Sequence, residues 1–126
     1  MESGNKKIFI FHGHIFDDIL IKYPIIGKIA DFGYRILQKI DPSFRLARLA
    51  KRNSKMFLRN SSKIKKKSLE IAKKQGYDIV VTGHTHFALS EENYFNCGCW
   101  TELPCHYVSV KNGEVILRKY EKEKEK

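Results

Sequence analysis

One stretch decides the fold of this chain: Ile79-Val80-Val81-Thr82-Gly83-His84-Thr85-His86. The apolar run predicts a short buried strand, and the glycine after it predicts a turn at the strand's end. Two histidines there are costly to place without a purpose, because neutral imidazole is the commonest metal ligand in proteins. In an extended segment, positions i and i+2 face the same way, so the turn can aim His84 and His86 into one site. The alternative is a polar turn whose histidines meet solvent.

A second apolar run that ends in histidine lies near the start of the chain. Lys6–Phe11 predicts a short strand, and His12-Gly13-His14 follows it directly. If the two strands lie side by side in one sheet, their ends bring His12, His84 and His86 together, where open sheets place binding sites. Three imidazoles form a partial shell for zinc, manganese or iron, whereas a hydrolytic dinuclear site also needs a bridging carboxylate.

The segment between these strands predicts helices. Apolar residues recur at three- and four-residue steps from Phe16 to Ile40, with breaks expected at Pro24 and Gly27. Asp41-Pro42 predicts the start of a further helix, and Asn60-Ser61-Ser62 predicts its end and the start of another. The remaining predicted features are a helix end at Gly76, strands over Tyr77–Thr82, Tyr94–Cys97, His106–Val110 and Glu114–Tyr120, and a hairpin turn at Lys111-Asn112-Gly113.

The composition fits one domain of modest size. The chain has 126 residues, of which 42% are hydrophobic and 30% charged. It contains no run of about eighteen apolar residues and no secretory signal pattern. Three cysteines, an odd number, argue against a disulfide framework and fit a reducing compartment. These features predict an intracellular, cytoplasmic protein.

Positive charge is concentrated in one segment. The formal net charge is +10, and all the basic residues between Arg48 and Lys74 are opposed there by Glu70 alone. We therefore expect an anionic partner: a phosphate-bearing substrate, an acidic membrane surface or nucleic acid. Phe57 is the only aromatic residue in this segment, and stacking on nucleic-acid bases needs more, which disfavours nucleic acid. The remaining alternative is a solvated helix face.

The cysteines offer a different metal-site hypothesis. Cys97 and Cys99, with Cys105 and His106, could be interpreted as a structural zinc site. Their spacing suits no familiar zinc ribbon or finger, and alternation along a strand explains the first two more simply. The interpretation is therefore disfavoured.

The ordered motifs resemble a known family. Four features occur in sequence: His12-Gly13-His14 followed by Phe16-Asp17, a basic helical insertion, Val81–His86, and Asn96-Cys97-Gly98-Cys99-Trp100. In this order they look like the C-terminal half of a calcineurin-like metallophosphoesterase. Within that superfamily they are most similar to the UDP-diacylglucosamine pyrophosphohydrolase group of lipid A synthesis.

The resemblance implies a fold and a domain plan. The fold expected is α+β (α/β): the C-terminal half of a β-sandwich flanked by helices, with a basic helical cap insertion. Residues 1–120 would form this partial domain, with the cap over about 17–75 and a charged tail over 121–126. The strand at Asn96–Trp100 would close the sheet beneath the site.

The resemblance also assigns roles to the histidines. His12 and His84 would bind the second metal of the family's two-metal site, and His86 the first. His14 matches a position beside the ligand. The metal would be manganese, with iron or zinc as alternatives. A family enzyme hydrolyses a phosphodiester or pyrophosphate bond by in-line attack of a metal-activated hydroxide on phosphorus.

Several family motifs are absent from these residues. The chain contains no Asp-x-His, no Gly-Asp-x-x-Asp and no Gly-Asn-His; Gly4-Asn5 echoes the last but precedes Lys6. These motifs supply the bridging carboxylate and most ligands of the first metal. We therefore expect a truncated metallophosphoesterase that is inactive by itself, without catalytic residues of its own, or one half of an enzyme whose N-terminal half is separately encoded.

The resemblance implies partners as well. The expected substrate contains phosphate and is lipid-linked, which would place the protein on the cytoplasmic side of the inner membrane as a peripheral protein. A basic face beside the apolar Ile19–Ile40 stretch suits phosphate with acyl chains, or anionic headgroups. The alternative function is a non-catalytic basic module that binds anionic membrane or nucleic acid.

Overall fold

The computed structural model describes residues 1–17, 21–41, 49, 54–100 and 103–121. It has mixed α and β structure, which confirms the fold class at that level. The chain divides into two compact units, one formed by Met1–His14 with Lys65–Lys126 and the other by Ile15–Ile64. In chain order the elements are β1 (Glu2–Ser3), β2 (Lys6–Phe11), a 3-10 turn (His14–Phe16), α1 (Pro24–Ile40), α2 (Lys55–Lys74), β3 (Ile79–Thr82), β4 (Leu89–Glu91), β5 (Tyr94–Asn96), β6 (His106–Lys111) and β7 (Glu114–Lys119).

Five strands form the central sheet, in the order β1-β2-β3-β5-β4. The three inner strands are parallel, with Phe11 opposite Thr82 and Thr82 opposite Asn96. β1 and β4 pair with the outer two of these strands in the antiparallel direction. The carboxyl ends of β2, β3 and β5 therefore meet at one edge of the sheet.

One face of the central sheet packs against a β-hairpin. β6 and β7 form a separate antiparallel pair. The hairpin turn has left-handed backbone at Asn112 (φ 51°) and Gly113 (φ 83°), as the Asn-Gly pair predicts. Burial of apolar area between two sheets excludes water and stabilises both of them. The contact involves Ile8, Ile79, Val81 and Phe95 of the central sheet with Val108, Val110, Val115 and Leu117 of the hairpin.

The opposite face of the sheet packs against the C-terminal part of α2. Val80 and Tyr94 are buried there with Ala72, and Leu69 packs against this group. Alternation along each strand explains the division, because successive side chains of β2 and β3 point to opposite faces. This unit therefore has three layers: a hairpin, a sheet and a helix.

The helix boundaries correct two sequence predictions. α1 begins at Pro24, so the break predicted there is confirmed, but Gly27 lies inside α1 and the break predicted at Gly27 is wrong. One glycine costs a helix only about 1 kcal/mol, which the remaining residues offset. The predicted helix start at Asp41-Pro42 lies mostly outside the described residues.

α2 also runs unbroken through Asn60-Ser61-Ser62, so the helix end predicted there is wrong. The lysine, leucine and arginine residues on both sides favour helix. The polar residues Asn60, Ser61 and Ser62 lie inside it and do not end it. The helix is capped instead by Ser54, whose Oγ accepts a hydrogen bond from the Phe57 backbone N–H at 3.3 Å. Left-handed backbone at Gly76 (φ 75°) follows the end of α2, as predicted.

Most of the remaining boundaries differ little from the prediction, but the strand expected at Asn96–Trp100 is wrong, because β5 ends at Asn96. β3 begins two residues later than expected, at Ile79, while β1 and β4 were not predicted. The predicted cap over 17–75 overlaps the unit Ile15–Ile64, although α2 from Lys65 onward belongs to the other unit. Only Glu121 of the predicted charged tail is described. None of the described helices combines the length and the apolar character needed to cross a membrane.

Candidate metal centre

Parallel pairing of β2 and β3 brings two of the predicted histidines together. His12 follows Phe11 and His84 follows the Thr82-Gly83 end of β3, and Phe11 and Thr82 are register partners. The Nδ1 atom of His84 lies 3.4 Å from Nε2 of His12. The expectation that these two strands lie side by side is therefore confirmed.

The third ring in this cluster is that of His14. Its ring centroid lies 5.4 Å from that of His12 and 6.4 Å from that of His84, while the His12 and His84 centroids are 5.1 Å apart. Left-handed backbone at Gly13 (φ 94°) turns the chain directly after His12. From the sequence, His14 was expected only beside a ligand. The Gly13 turn is the signal that could have placed it in the cluster.

His86 occupies a different setting from the one assumed in the sequence argument. His84 (φ 71°) and His86 (φ 54°) both have left-handed backbone, so the segment is a turn and not an extended strand. The alternation rule that aimed both rings the same way therefore does not apply, and His86 is exposed. Among the described residues, no group of three or more His, Cys, Asp or Glu side chains could hold a metal ion as arranged. Metal binding by His12, His84 and His86 stays a prediction.

Left-handed backbone at two non-glycine residues so close together is uncommon and costs energy. Such strain clusters at binding sites and persists only when the surrounding structure enforces it. In this turn the enforcing contacts begin with Thr85, which lies between the two histidines and is buried. Its backbone N–H donates to the carbonyl oxygen of Gly83 at 2.9 Å.

Asn96, at the end of β5, holds the same turn from the side. Its Nδ2 donates to the Gly83 carbonyl oxygen at 3.0 Å and to Thr85 Oγ1 at 2.8 Å. Its Oδ1 accepts from the Gly98 backbone N–H at 2.9 Å. The Asn96 side chain is 1% exposed, so these bonds are shielded from water. Sequence reasoning assigned Asn96 to the closing strand and missed this positioning role.

A second buried bond connects β3 and β5 one residue before the turn. Thr82 Oγ1 and the Tyr94 hydroxyl are 2.7 Å apart. Both residues are about 2% exposed, so water cannot reach the two hydroxyls. The hydrogen bond between them gives each buried hydroxyl a partner. The backbone N–H of Cys97 also donates to the Thr82 carbonyl oxygen at 3.0 Å. The histidine turn therefore rests on a rigid strand pair.

The electrostatics favour a neutral ring at His12. Burial lowers the pKa of His12 below its ordinary value of 6.5, and the neighbouring His84 and His14 lower it further. Metal ligation requires the unprotonated imidazole, so a lowered pKa extends the pH range over which His12 can bind a cation.

The pair of nitrogens has a separation that fits a shared metal. Two nitrogens bound at about 2.0–2.1 Å to a tetrahedral ion stand about 3.3–3.4 Å apart. The observed separation between His12 Nε2 and His84 Nδ1 is 3.4 Å. This separation is compatible with two ligands of one tetrahedral ion, and it is also that of a hydrogen bond between the two rings. Further ligands are needed to complete a coordination shell.

The cysteines and the basic helix complete the sequence-predicted candidates. No disulfide joins the three cysteines, all of which the structure describes, and burial raises the pKa of Cys97. In α2, Lys65 pairs with Glu91, so one cation of the basic segment is engaged within the fold. Arg48, Lys51 and Arg52 lie outside the described residues. The exposed cations of the helix are Lys55, Arg59, Lys63, Lys66, Lys73 and Lys74.

Comparison with known proteins finds no family model, no curated sequence and no solved structure that matches this chain. Interpretation of the site therefore depends on its own residues and geometry.

Proposed function

We propose that this chain is the histidine-bearing C-terminal portion of a metallophosphoesterase-type domain, similar to the UDP-diacylglucosamine pyrophosphohydrolase group. The reaction would be hydrolysis of a phosphodiester or pyrophosphate bond in a phosphate-containing, lipid-linked substrate. One observation carries the proposal: β2 and β3 end side by side with His12 Nε2 and His84 Nδ1 3.4 Å apart. Neither histidine motif would produce this pair without the parallel register between the strands.

The fold supports the same proposal. A hairpin packs on one face of the central sheet and α2 packs on the other, which suits a β-sandwich flanked by helices. The candidate ligands lie at the carboxyl ends of parallel strands, where open sheets place binding sites. Asn96 in the neighbouring strand fixes the turn that carries His84.

His12, His84 and Asn96 would have different roles at this site. His12 and His84 would hold a divalent cation, with manganese expected and iron or zinc as alternatives. When bound, such a cation supplies Lewis-acid stabilisation to phosphoryl oxygens. Asn96 keeps the Gly83 carbonyl and the Thr85 hydroxyl in place, which limits the rotation of the turn. The lowered pKa favours the unprotonated His12 ring, which is the form that binds a metal.

A bridging carboxylate is still required for the two-metal reaction. No Asp-x-His or Gly-Asp-x-x-Asp sequence is present in the chain. The imidazoles alone cannot set two cations about 3.5–4 Å apart, because that spacing depends on a shared ligand. We therefore propose that these residues require a polypeptide that carries the missing motifs, and that they are inactive without it.

The experiment combines the purified chain with an N-terminal segment that carries the three missing motifs. Without the segment, manganese and a generic phosphodiester should give no turnover above the metal blank. With the segment, turnover should appear for the unaltered chain and for His106→Ala, a histidine of β6 outside the cluster, but not for His84→Ala. Turnover by the chain alone that His84→Ala abolishes would contradict the inactive state. Equal turnover of His84→Ala and the unaltered chain would contradict the assigned site.

A non-catalytic basic module is the second candidate, and the exposed cations of α2 favour it. Binding to a random DNA duplex across a salt series tests the nucleic-acid form of this candidate, since phosphate contacts give a steep salt dependence. We expect weak duplex binding, because Phe57 is the only aromatic residue in the basic segment. Tight duplex binding that Lys63→Gln/Lys66→Gln weakens would favour the module instead.

A further inference from the structure

α1 carries a continuous stripe of exposed apolar side chains. Its members recur at steps of four, three, four and four residues, so at 100° per residue they fall within about 80° of the helix circumference. They are large, and the least exposed still shows 43% of its surface. The stripe consists of Ile25 (71% exposed), Ile29 (66%), Phe32 (67%), Ile36 (43%) and Ile40 (69%).

A stripe of this kind is more than the scattered apolar exposure of an ordinary surface. Single exposed apolar residues are normal, whereas contiguous patches mark interaction sites. α1 has 17 residues and is about 25 Å long at 1.5 Å per residue, and the stripe follows it to the last residue. Within the unit Ile15–Ile64, Ile21 is also 63% exposed and Tyr23 58%, and both precede the first residue of α1.

Cations lie along one border of the stripe. The 100° spacing places Lys28, Arg35 and Lys39 beside the arc of apolar residues. Asp31 is the only acidic residue in α1, and it pairs with Arg35 at 3.1 Å. All four charged side chains are exposed. Long basic side chains in this position can bury their methylene stems at a lipid boundary while the charged groups reach the headgroups.

We propose that α1 lies in the plane of an anionic membrane surface, with the stripe inserted at the headgroup–acyl boundary. An amphipathic helix with an apolar face and a basic border is the sequence type that binds this boundary. Anionic lipid attracts the cations, each adding to the affinity within a Debye length of the surface. The helix lies on the membrane and does not span it, because 17 residues with four charges cannot cross the hydrocarbon core.

Charge decides between lipid and a second copy of the chain. Packing two stripes together in an antiparallel pair would bring two sets of cations side by side, with one acid in each helix to offset three bases. An anionic lipid surface instead neutralises them. The inference depends on α1 alone, so it stands or fails separately from the histidine site.

Flotation with lipid vesicles tests the proposal on the full chain. The chain should float with phosphatidylcholine vesicles that contain phosphatidylglycerol, and much less with phosphatidylcholine alone. Ile29→Gln/Phe32→Gln, at the centre of the stripe, should reduce partitioning at least about tenfold without changing net charge. Lys28→Gln/Lys39→Gln should remove mainly the part of the vesicle binding that depends on salt concentration. Tyr107→Gln is the matched control, since Tyr107 is 40% exposed but lies in β6.

A second readout keeps the result independent of folding. Phe32→Trp in a Trp100→Phe background should show blue-shifted emission when anionic vesicles are added, because the indole enters the lipid boundary. Unchanged emission, or equal flotation of Ile29→Gln/Phe32→Gln and the unaltered chain, would overturn the proposal. It is also overturned if the chain ignores vesicles and sediments as a dimer that Ile29→Gln/Phe32→Gln dissociates.

Discussion

Asn96 donates a hydrogen bond of 3.0 Å to the carbonyl oxygen of Gly83, so a buried amide on β5 fixes the turn that follows β3. The consequence is that the position of the His84 ring depends on a residue that binds no ligand itself. If His84 binds a metal as proposed, a positioning group of this kind would hold the ligand in orientation and affect metal affinity.

Replacing Asn96 should lower the free energy of unfolding. Asn96→Ala leaves the Thr85 hydroxyl, the Gly83 carbonyl oxygen and the Gly98 backbone N–H without their buried partner, so the free energy of unfolding should fall by about 1–3 kcal/mol. Urea denaturation measures the change. Asn93→Ala is the control, because the Asn93 side chain is exposed, and its effect should stay within about 0.5 kcal/mol. Equal effects of the two substitutions would argue against the network.

The Thr82–Tyr94 bond should appear as a coupling between two substitutions. Thr82→Val and Tyr94→Phe each leave one buried hydroxyl without its hydrogen-bond partner, whereas the double variant removes both hydroxyls. We expect each single change to destabilise by about 1–2 kcal/mol and the double change to cost less than their sum. Denaturation of all four proteins gives the coupling energy. Strict additivity would indicate that the 2.7 Å contact contributes nothing of its own.

Replacing two of the glycines with alanine should change the stability of the chain in opposite directions. Gly33 lies in α1 with open space around its Cα, so Gly33→Ala should stabilise the chain by about 0.5–1 kcal/mol. Gly4 has left-handed backbone (φ +54°), and a Cβ there would lie 2.8 Å from the backbone of Asn112. Gly4→Ala should therefore destabilise by more than about 2 kcal/mol. Thermal unfolding of both variants checks the signs.

The pH dependence of His12 follows first from its burial and then from the neighbouring His84 and His14. Its pKa lies below the ordinary 6.5, so the unfolded chain binds this proton more readily than the folded one. The contribution of His12 to stability is complete above pH 6.5 and is lost as the pH falls through the folded pKa. His84→Ala should raise the pKa of His12 by removing a repulsive neighbour. NMR titration of the ring protons would show this, and an unmoved midpoint would contradict the cluster.

Local chemistry explains which parts of the fold the sequence could predict. The β2 bounds and the β6–β7 turn follow from apolar runs and an Asn-Gly pair, which act over a few residues. The helix end expected at Asn60-Ser61-Ser62 failed because cap preference is a weak signal inside a strongly helical segment. β1 and β4 were missed because strands of two and three residues carry almost no periodicity.

Local sequence patterns could also predict part of the candidate site. Pairing of two histidine-ended strands followed from topology, and it placed His12 beside His84. The entry of His14 into the cluster depends on left-handed backbone at Gly13, and the setting of His86 depends on a turn in place of extended chain. Both are backbone angles set by tertiary contacts, among them the Asn96 bonds, which a pattern of residue types does not encode.

The central claim is that His12 and His84 form a shared divalent-metal site, and calorimetric titration with zinc tests it most directly. The unaltered chain and His106→Ala should bind zinc alike, while His84→Ala and His12→Ala should each lose at least about a hundredfold in affinity. His14→Ala and His86→Ala, titrated in parallel, identify the further ligand as the one whose loss weakens binding. Equal zinc affinity for His84→Ala, His12→Ala and the unaltered chain would contradict the claim.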